Sequence, residues 1–426
     1  MELNKLVEEL VKKGFQQVAV LEIKVKSTMV KFAESKVSVI QKWSTSSISI
    51  LIGKNKKFTV LEFKGDAKLD NNIENLIDKI EESPYYPILS NNQRSYKRIE
   101  VENDVDRLIQ DPSSAVADVL DYAEYPIYGM INFVRYKRIL HTSTGFEGEE
   151  EKTFVNGYAR AFNGEYSGQW AFFSRNYSPA KLREMVKKAC EFASITGEVK
   201  IDEGKYNVLL SPLVFANLMN YLMNMASAMS VEYGMSIFLN TNQGEKVASE
   251  KLSLYDSPRN DEIPYSTAFD DEGTFTYNKA VIENGTFQTL LYNNALARLK
   301  GKNSTGNAGW TYPHSWGIEV KPGEVSENSL FSSNLIFFNN NWYTRFQNYY
   351  EGTFSTVGRD AVVVYREGKP VGVAKRIRIA DSLRNIIKNI EDLSKERYNI
   401  MWWESEMPVI TPYTLIRDVR ISKSTF

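Results

Sequence analysis

The chain has 426 residues, enough for two or three domains at roughly 150 residues each. Its 52 Lys and Arg balance 53 Asp and Glu, and no end carries a basic run, which argues against electrostatic binding of nucleic acid. A single cysteine, Cys190, excludes an intrachain disulfide and a Cys-x-x-Cys zinc site, and suits a reducing cytoplasm.

Leu3, Leu6, Val7, Leu10 and Val11 mark one face of an amphipathic helix that Gly14 ends. This segment has no basic start ahead of an apolar core, so it does not read as a signal peptide. Alternating, β-branched stretches follow: "FQQVAVLEIKV", "TMVKFAESKVSVIQKW", "SSISILIG" and "KFTVLEF". "NNIENLIDKIEES" predicts a helix, and so does "SSAVADVLDYAEY", with Ser113 or Ser114 as its cap. Strands return in "MINFVRYKRILHTSTG", "KTFVNGYARAFNG" and "GQWAFFSRN", with Asn156-Gly157 and Asn163-Gly164 as hairpin turns. "SPAKLREMVKKACEFA" reads as a helix capped by Ser178 with Pro179 at its first position. Cys190 falls at its apolar spacing and reads as a buried small hydrophobe rather than a nucleophile.

"SITGEVKIDEGKY" is polar and aperiodic. It places a boundary near 196–205, giving domains 1–196 and 205–426. No charge occurs from Tyr206 to Val231, a length that could span a bilayer. Pro212 near its front argues against that, as does the stripe Asn217, Asn220, Asn224 and Ser227. With Phe215, Leu218, Met219, Leu222, Met225 and Met229 opposite, it reads as a strand, a turn at Ser211-Pro212 and a buried helix with one polar edge. Later turns are expected at Asn284-Gly285 and Glu367-Gly368, and a late helix in "SLRNIIKNIEDLSKE". Strands and helices are grouped rather than alternating. The fold class is therefore α+β: two strand-rich domains with a few helices packed on the sheets.

The chemistry-bearing residues are sparse. His141 and His314 are the two histidines, and there is no HExxH pair to build a helix-borne zinc site. Asp256, Asp270, Asp271 and Glu272 could act as acid, base or ligands. The composition around Asp270–Gly273 reads instead as a solvated turn between two strands. "GKNSTGNAG" (Gly301–Gly309) could cradle an anion or a peptide carbonyl but is no Walker motif. Gly352, Ser355 and Gly358 read as part of a bulged strand pair.

Taken in order, "GEKVASEKLSLYDSP", "FDDEGTFTYNKAVIENGTF", "STGNAG" and "EGTFSTVGRD" resemble the TldD/PmbA family, also called modulators of DNA gyrase. The likeness extends to the first half. It implies two α+β domains and a cytoplasmic, zinc-dependent peptidase assembled from two related subunits. The TldD-type subunit carries HExxxH at a strand–helix junction and a Cys near its C-terminus. The TldE/PmbA-type subunit lacks them. Matched residue by residue, "VLLSPLVFAN" puts Ser211, Pro212 and Ala216 where the first His, the Glu and the second His stand. No Cys follows in "RYNIMWWESEMPVITPYTLIRDV".

The resemblance therefore implies a TldE-type subunit, inactive alone, with no cofactor of its own. Zinc is expected in a TldD-like partner, and an extended peptide as substrate, with neither nucleic acid nor membrane as partner. Self-association as a homodimer stays open for the chain alone. Asp270, Glu272, Asn307 and Ser355, where the likeness is dense, are its candidate substrate contacts. Two other functions stay open at this stage: a stand-alone hydrolase with a non-zinc site, and a regulator binding a topoisomerase.

Overall fold

The computed structural model describes residues 3–65 and 73–423. Helix α1 (Leu3–Lys12) precedes three long strands, β1 (Gln17–Ala33), β2 (Lys36–Lys54) and β3 (Lys57–Lys64). Then come α2 (Ile73–Asp78), β4 (Ser95–Glu100), α3 (Asn103–Gln110) and α4 (Ser113–Leu120). Strands β5 (Ile127–Thr142), β6 (Glu147–Asn163) and β7 (Tyr166–Ser174) and helix α5 (Pro179–Ser194) close this half.

The second half opens with β8 (Gly204–Leu210), α6 (Pro212–Met225) and α7 (Ala228–Glu232). Short pieces set among loops follow: β9 (Leu254–Asp256), β10 (Lys279–Glu283), β11 (Thr286–Phe287), α8 (Asn294–Leu299), β12 (Ile318–Val320) and α9 (Glu327–Leu330). It ends with β13 (Leu335–Asn348), β14 (Thr353–Arg366), β15 (Lys369–Val373), β16 (Ile377–Ser382), α10 (Leu383–Lys388), β17 (Ile390–Trp402) and β18 (Ser405–Lys423).

The first seven strands form one sheet, in the order β3-β2-β1-β5-β6-β4, with β7 also on β6. Its hairpins turn at Glu34-Ser35 and Asn55-Lys56, whose positive φ values suit the tight turns that match strand twist. Helix α1 buries Leu3, Leu6, Val7 and Leu10 against Val18, Val20, Ile50 and Ile52. The other eleven strands form a second sheet. Within it β8, β13, β14, β16 and β18 close on themselves, because β18 pairs with β8 as well as with β16.

Helix α6 packs on β13, β17 and β18 and is buried almost all round. That explains why it is apolar on most sides, with asparagines along one edge. The uncharged run 206–231 is thus divided among β8, α6 and α7. Among the described residues no helix is long and apolar enough to cross a membrane.

The strands fall into two sets, as an α+β, two-domain reading requires, and the segment 196–203 between them is mostly exposed. One apolar core nevertheless runs through both halves, from Phe133 and Trp170 to Phe337 and Tyr413. Trp170 on β7 stacks on Tyr413 of β18 at 6.2 Å.

Several local expectations need correction. Asn156-Gly157 is not a turn. It lies mid-strand in β6, where Gly157 pairs with Ile131, and a Cβ there would sit 2.7 Å from the Met130 carbonyl oxygen. The glycine permits close approach of strands, not a reversal. The late helix stops at Lys388. Ile390 and Leu393, which extend its apolar period, instead pair with Ile416 and Thr414 of β18. Neither Ser113 nor Ser114 caps α4. The helix starts at Ser113, whose hydroxyl bonds Asp111. Helix α2 covers only 73–78 of the segment expected to be helical, and 71–72 lie outside the described residues. Asn163-Gly164, Asn284-Gly285 and Glu367-Gly368 do lie between paired strands.

Candidate functional site

The junction of β8 and α6 sits on the neighbouring strand β13. Ser211 is the helix N-cap: its Oγ accepts from the backbone N–H of Leu213 (3.1 Å) and Val214 (3.4 Å). The same hydroxyl donates to the Asn339 carbonyl at 2.6 Å. Ser211, Pro212 and Ala216 are all buried.

These residues do not fit zinc. They offer no imidazole, carboxylate or thiolate, and the one hydroxyl is already saturated. Elsewhere, His141 lies 3.8 Å from Glu147, and His314 packs edge-on to Trp316. Among the described residues no three His, Cys, Asp or Glu side chains are grouped to hold a metal.

The polar stripe of α6 is tied into the fold. Asn217 donates to the Glu404 carbonyl and accepts from Asn341 (2.9 Å) and Thr344 (2.8 Å). Asn220 bonds Ser405 and Met407, and Ser227 bonds the Pro313 carbonyl. Asn224 is exposed.

The turn at Asp270–Gly273 is a turn, with Gly273 at φ +77°, but it is not solvated. Asp270, Glu272 and Asn307 are each 0% exposed. The first half covers them. Arg138 on β5 pairs with Asp271 and donates to the Phe269 carbonyl, while Glu150 on β6 accepts from Thr267 and from Ala268 N–H. Asp270 accepts the backbone N–H groups of Glu272, Thr274 and Ala308. Asn307 donates to Asp256 (2.7 Å) and to the His314 carbonyl (2.8 Å). Asp256 also meets Lys279 at 2.8 Å. Burial alone would raise the Asp256 carboxyl; the ammonium and the hydrogen bonds overcome that and hold it below its ordinary value.

Asp270 and Glu272 have no such cation. Burial pushes Asp270 up to about 7, and burial together with the Asp270 charge pushes Glu272 well above the usual carboxylate range. The three N–H donors on Asp270 oppose its share of that rise. Raised folded-state values mean that the folded chain binds more protons than the unfolded one above about pH 4. Stability from this pair is therefore fully present at acid pH and is lost as pH rises through about 7. Glu272→Gln should flatten that decline and raise stability at pH 8 by on the order of 1 kcal/mol. Urea unfolding of both proteins from pH 5 to 8 checks this; parallel curves would contradict it.

Ser355, half-buried, borders open space. With Trp342, Tyr343, Arg345, Arg359 and Arg378 it lines a groove of about 530 Å³ on β13, β14 and β16. Across Trp342 and Arg359 lies a larger cleft of about 600 Å³, between the two sheets. Its walls include Tyr128, Arg160, Phe162 and Gln169 from the first half and Asn340 and Trp403 from the second.

The guanidinium of Arg359 lies over the Trp342 ring, 3.4 Å from its centroid. Burial, and then the neighbouring Arg160 cation, lower its pKa. Asp360, held at φ +59°, pairs with Arg160 and accepts from Asn340 (2.8 Å). The cleft adjoins the start of α6 through one residue: Asn339, whose carbonyl takes the Ser211 hydroxyl, bonds the Gln169 backbone through its side chain.

Sequence reasoning reached Ser355 but missed Arg160, Gln169, Asn340, Trp342, Arg359 and Trp403. The run "NNNWYTR" was the available signal, since three amides beside an aromatic and a cation are unusual inside a strand.

Two strand-rich sets, a buried strand–helix junction and an inter-sheet cleft define the scaffold, and comparison with known proteins supplies its family. The model of the PmbA/TldA metallopeptidase C-terminal domain matches residues 203–423, over half the chain. The chain belongs to the TldD/PmbA family of metallopeptidases. An uncharacterised protein of Methanocaldococcus jannaschii is 27% identical over 321 residues, 73% of this chain and 75% of that one. The metalloprotease PmbA of Escherichia coli O157:H7 is 28% identical over 162 residues, 37% of this chain and 35% of that one. The crystal structure of TldE from Thermococcus kodakarensis superposes with a TM-score of 0.83 over 99% of both chains. At 17% identity, that likeness is one of fold.

Proposed function

We propose that this chain is the non-catalytic, TldE/PmbA-type subunit of a two-chain zinc metalloprotease that degrades peptides or unfolded segments in the cytoplasm. The observation that carries the reading is Ser211 with Pro212 and Ala216: a capped, buried helix start with no ligand and no base, where the family's peptidase chemistry would stand. Zinc chemistry then belongs to an HExxxH-bearing partner. This chain completes the chamber, and its inter-sheet cleft holds substrate.

A surface suited to a partner supports the assembly. On β2, Val39 and Trp43, each 41% exposed, share one face of the strand. Co-expression with an HExxxH-bearing homologue should yield a stable heteromer, and Val39→Asp should lower its yield at least tenfold without unfolding the chain. Size-exclusion chromatography with light scattering decides. A chain that stays apart from such a homologue at micromolar concentration would overturn the reading.

A further inference from the structure

The arginines around Trp342 are out of balance with the carboxylates. Arg160, Arg345, Arg359 and Arg378 border the cleft and the adjoining groove. The carboxylate among them that makes ion pairs is Asp360, and Arg160 uses it. Arg345, Arg359 and Arg378 form no ion pair among the described residues.

Neutral donors show the same excess. Gln169, 4% exposed, has its Nε2 without an acceptor, although its Oε1 takes a hydrogen bond from Asn340. Trp342 Nε1 is likewise buried without a protein acceptor, and so is Nε of the charged Arg378 on the groove side. Buried donors of this kind cost folding free energy when they are left without a partner. Gln169 lines the cleft, Arg378 the groove and Trp342 both, so donors without acceptors flank the Trp342–Arg359 wall from its two sides, which suits an acceptor-rich, anionic ligand.

We infer that the cleft binds the free C-terminal carboxylate of a peptide, with Arg359 as the anchoring cation. This rests on the reading of the chain as a peptidase subunit. A guanidinium presents a planar fork of N–H donors that matches a carboxylate. Stacked on Trp342, that fork is fixed in orientation at little further entropic cost. Trp342 and Arg359 together form the wall between cleft and groove. A chain that runs through the 600 Å³ cleft toward that wall meets the cation where the wall stops it. Gln169 Nε2 then faces the peptide's last carbonyls, and Phe162, Tyr128 and Trp403 face its apolar side chains. An anion beside Arg359 also relieves the repulsion between Arg160 and Arg359.

The test uses the full chain, without a partner, and follows its tryptophan fluorescence on titration with three N-acetylated probes. These are Ala-Ala-Ala-Phe as the free acid, the same peptide as its C-terminal amide, and Ala-Glu-Ala-Phe amide. The free acid should bind at least tenfold more tightly than either amide. Arg359→Gln should lose that preference, and Arg359→Lys should keep part of it. Equal affinity for acid and amide, equal affinity for the internal-glutamate probe, or no binding of any probe would overturn the proposal. The comparison of probes on the unaltered protein stands even if the variants fold poorly. Failure of subunit assembly is read separately, because Arg359→Gln should still form the heteromer.

Discussion

Lys279→Met is expected to destabilise the protein by about 3–5 kcal/mol at neutral pH, enough to shift the urea midpoint substantially or to abolish soluble expression. The reason is geometric. Lys279 is 6% exposed and its ammonium lies 2.8 Å from Asp256, which is fully buried. Asp256 is in turn the common acceptor for Asn307, the Ser315 hydroxyl and the Trp316 backbone N–H. Removing the cation leaves a buried charge with neutral donors only, and desolvation is then uncompensated. The double variant Asp256→Asn/Lys279→Met should recover part of the loss, because the unpaired charge goes with it. A single variant within 1 kcal/mol of the parent would show that the pair does not organise this loop layer.

That loop layer also shows what the sequence could and could not reveal. Helices α1 and α5 were legible because their signals are local: an apolar face three and four residues apart, and the Ser178–Pro179 start. The hairpin at Asn284-Gly285 was legible for the same reason. The turn at Asp270–Gly273 misled, because four acidic or glycine residues in a row describe solvent exposure unless distant partners bury them. Those partners, Arg138 and Glu150, lie more than a hundred residues away.

Ile390 and Leu393 misled in another way. Their spacing of three fits a helix, but pairing with β18, whose register shifts between Ile390 and Asp392, makes the segment a strand. The cleft was illegible for a further reason. Arg160 and Arg359 come from different sheets, and only the packing of β7 against β13 and β14, with the Arg160–Asp360 pair beside it, makes them neighbours. Ser355 was found because it lies in a recognisable segment, whereas Trp342 lies in none of the segments that carried the resemblance.

The central claim is that this chain keeps the platform of a metallopeptidase and leaves the chemistry to a partner. A catalytic metal site needs ligands and a base to activate bound water. Ser211 instead spends its hydroxyl on two backbone N–H groups and the Asn339 carbonyl. The most direct measurement is zinc content by elemental analysis, together with cleavage of a fluorogenic peptide. Both are taken on this chain, on an HExxxH-bearing homologue and on their mixture. The account predicts no stoichiometric zinc and no cleavage from this chain by itself, and zinc with chelator-sensitive cleavage from the assembled pair. Tight zinc in this chain alone, with peptide cleavage that His141→Ala or His314→Ala abolishes, would contradict it.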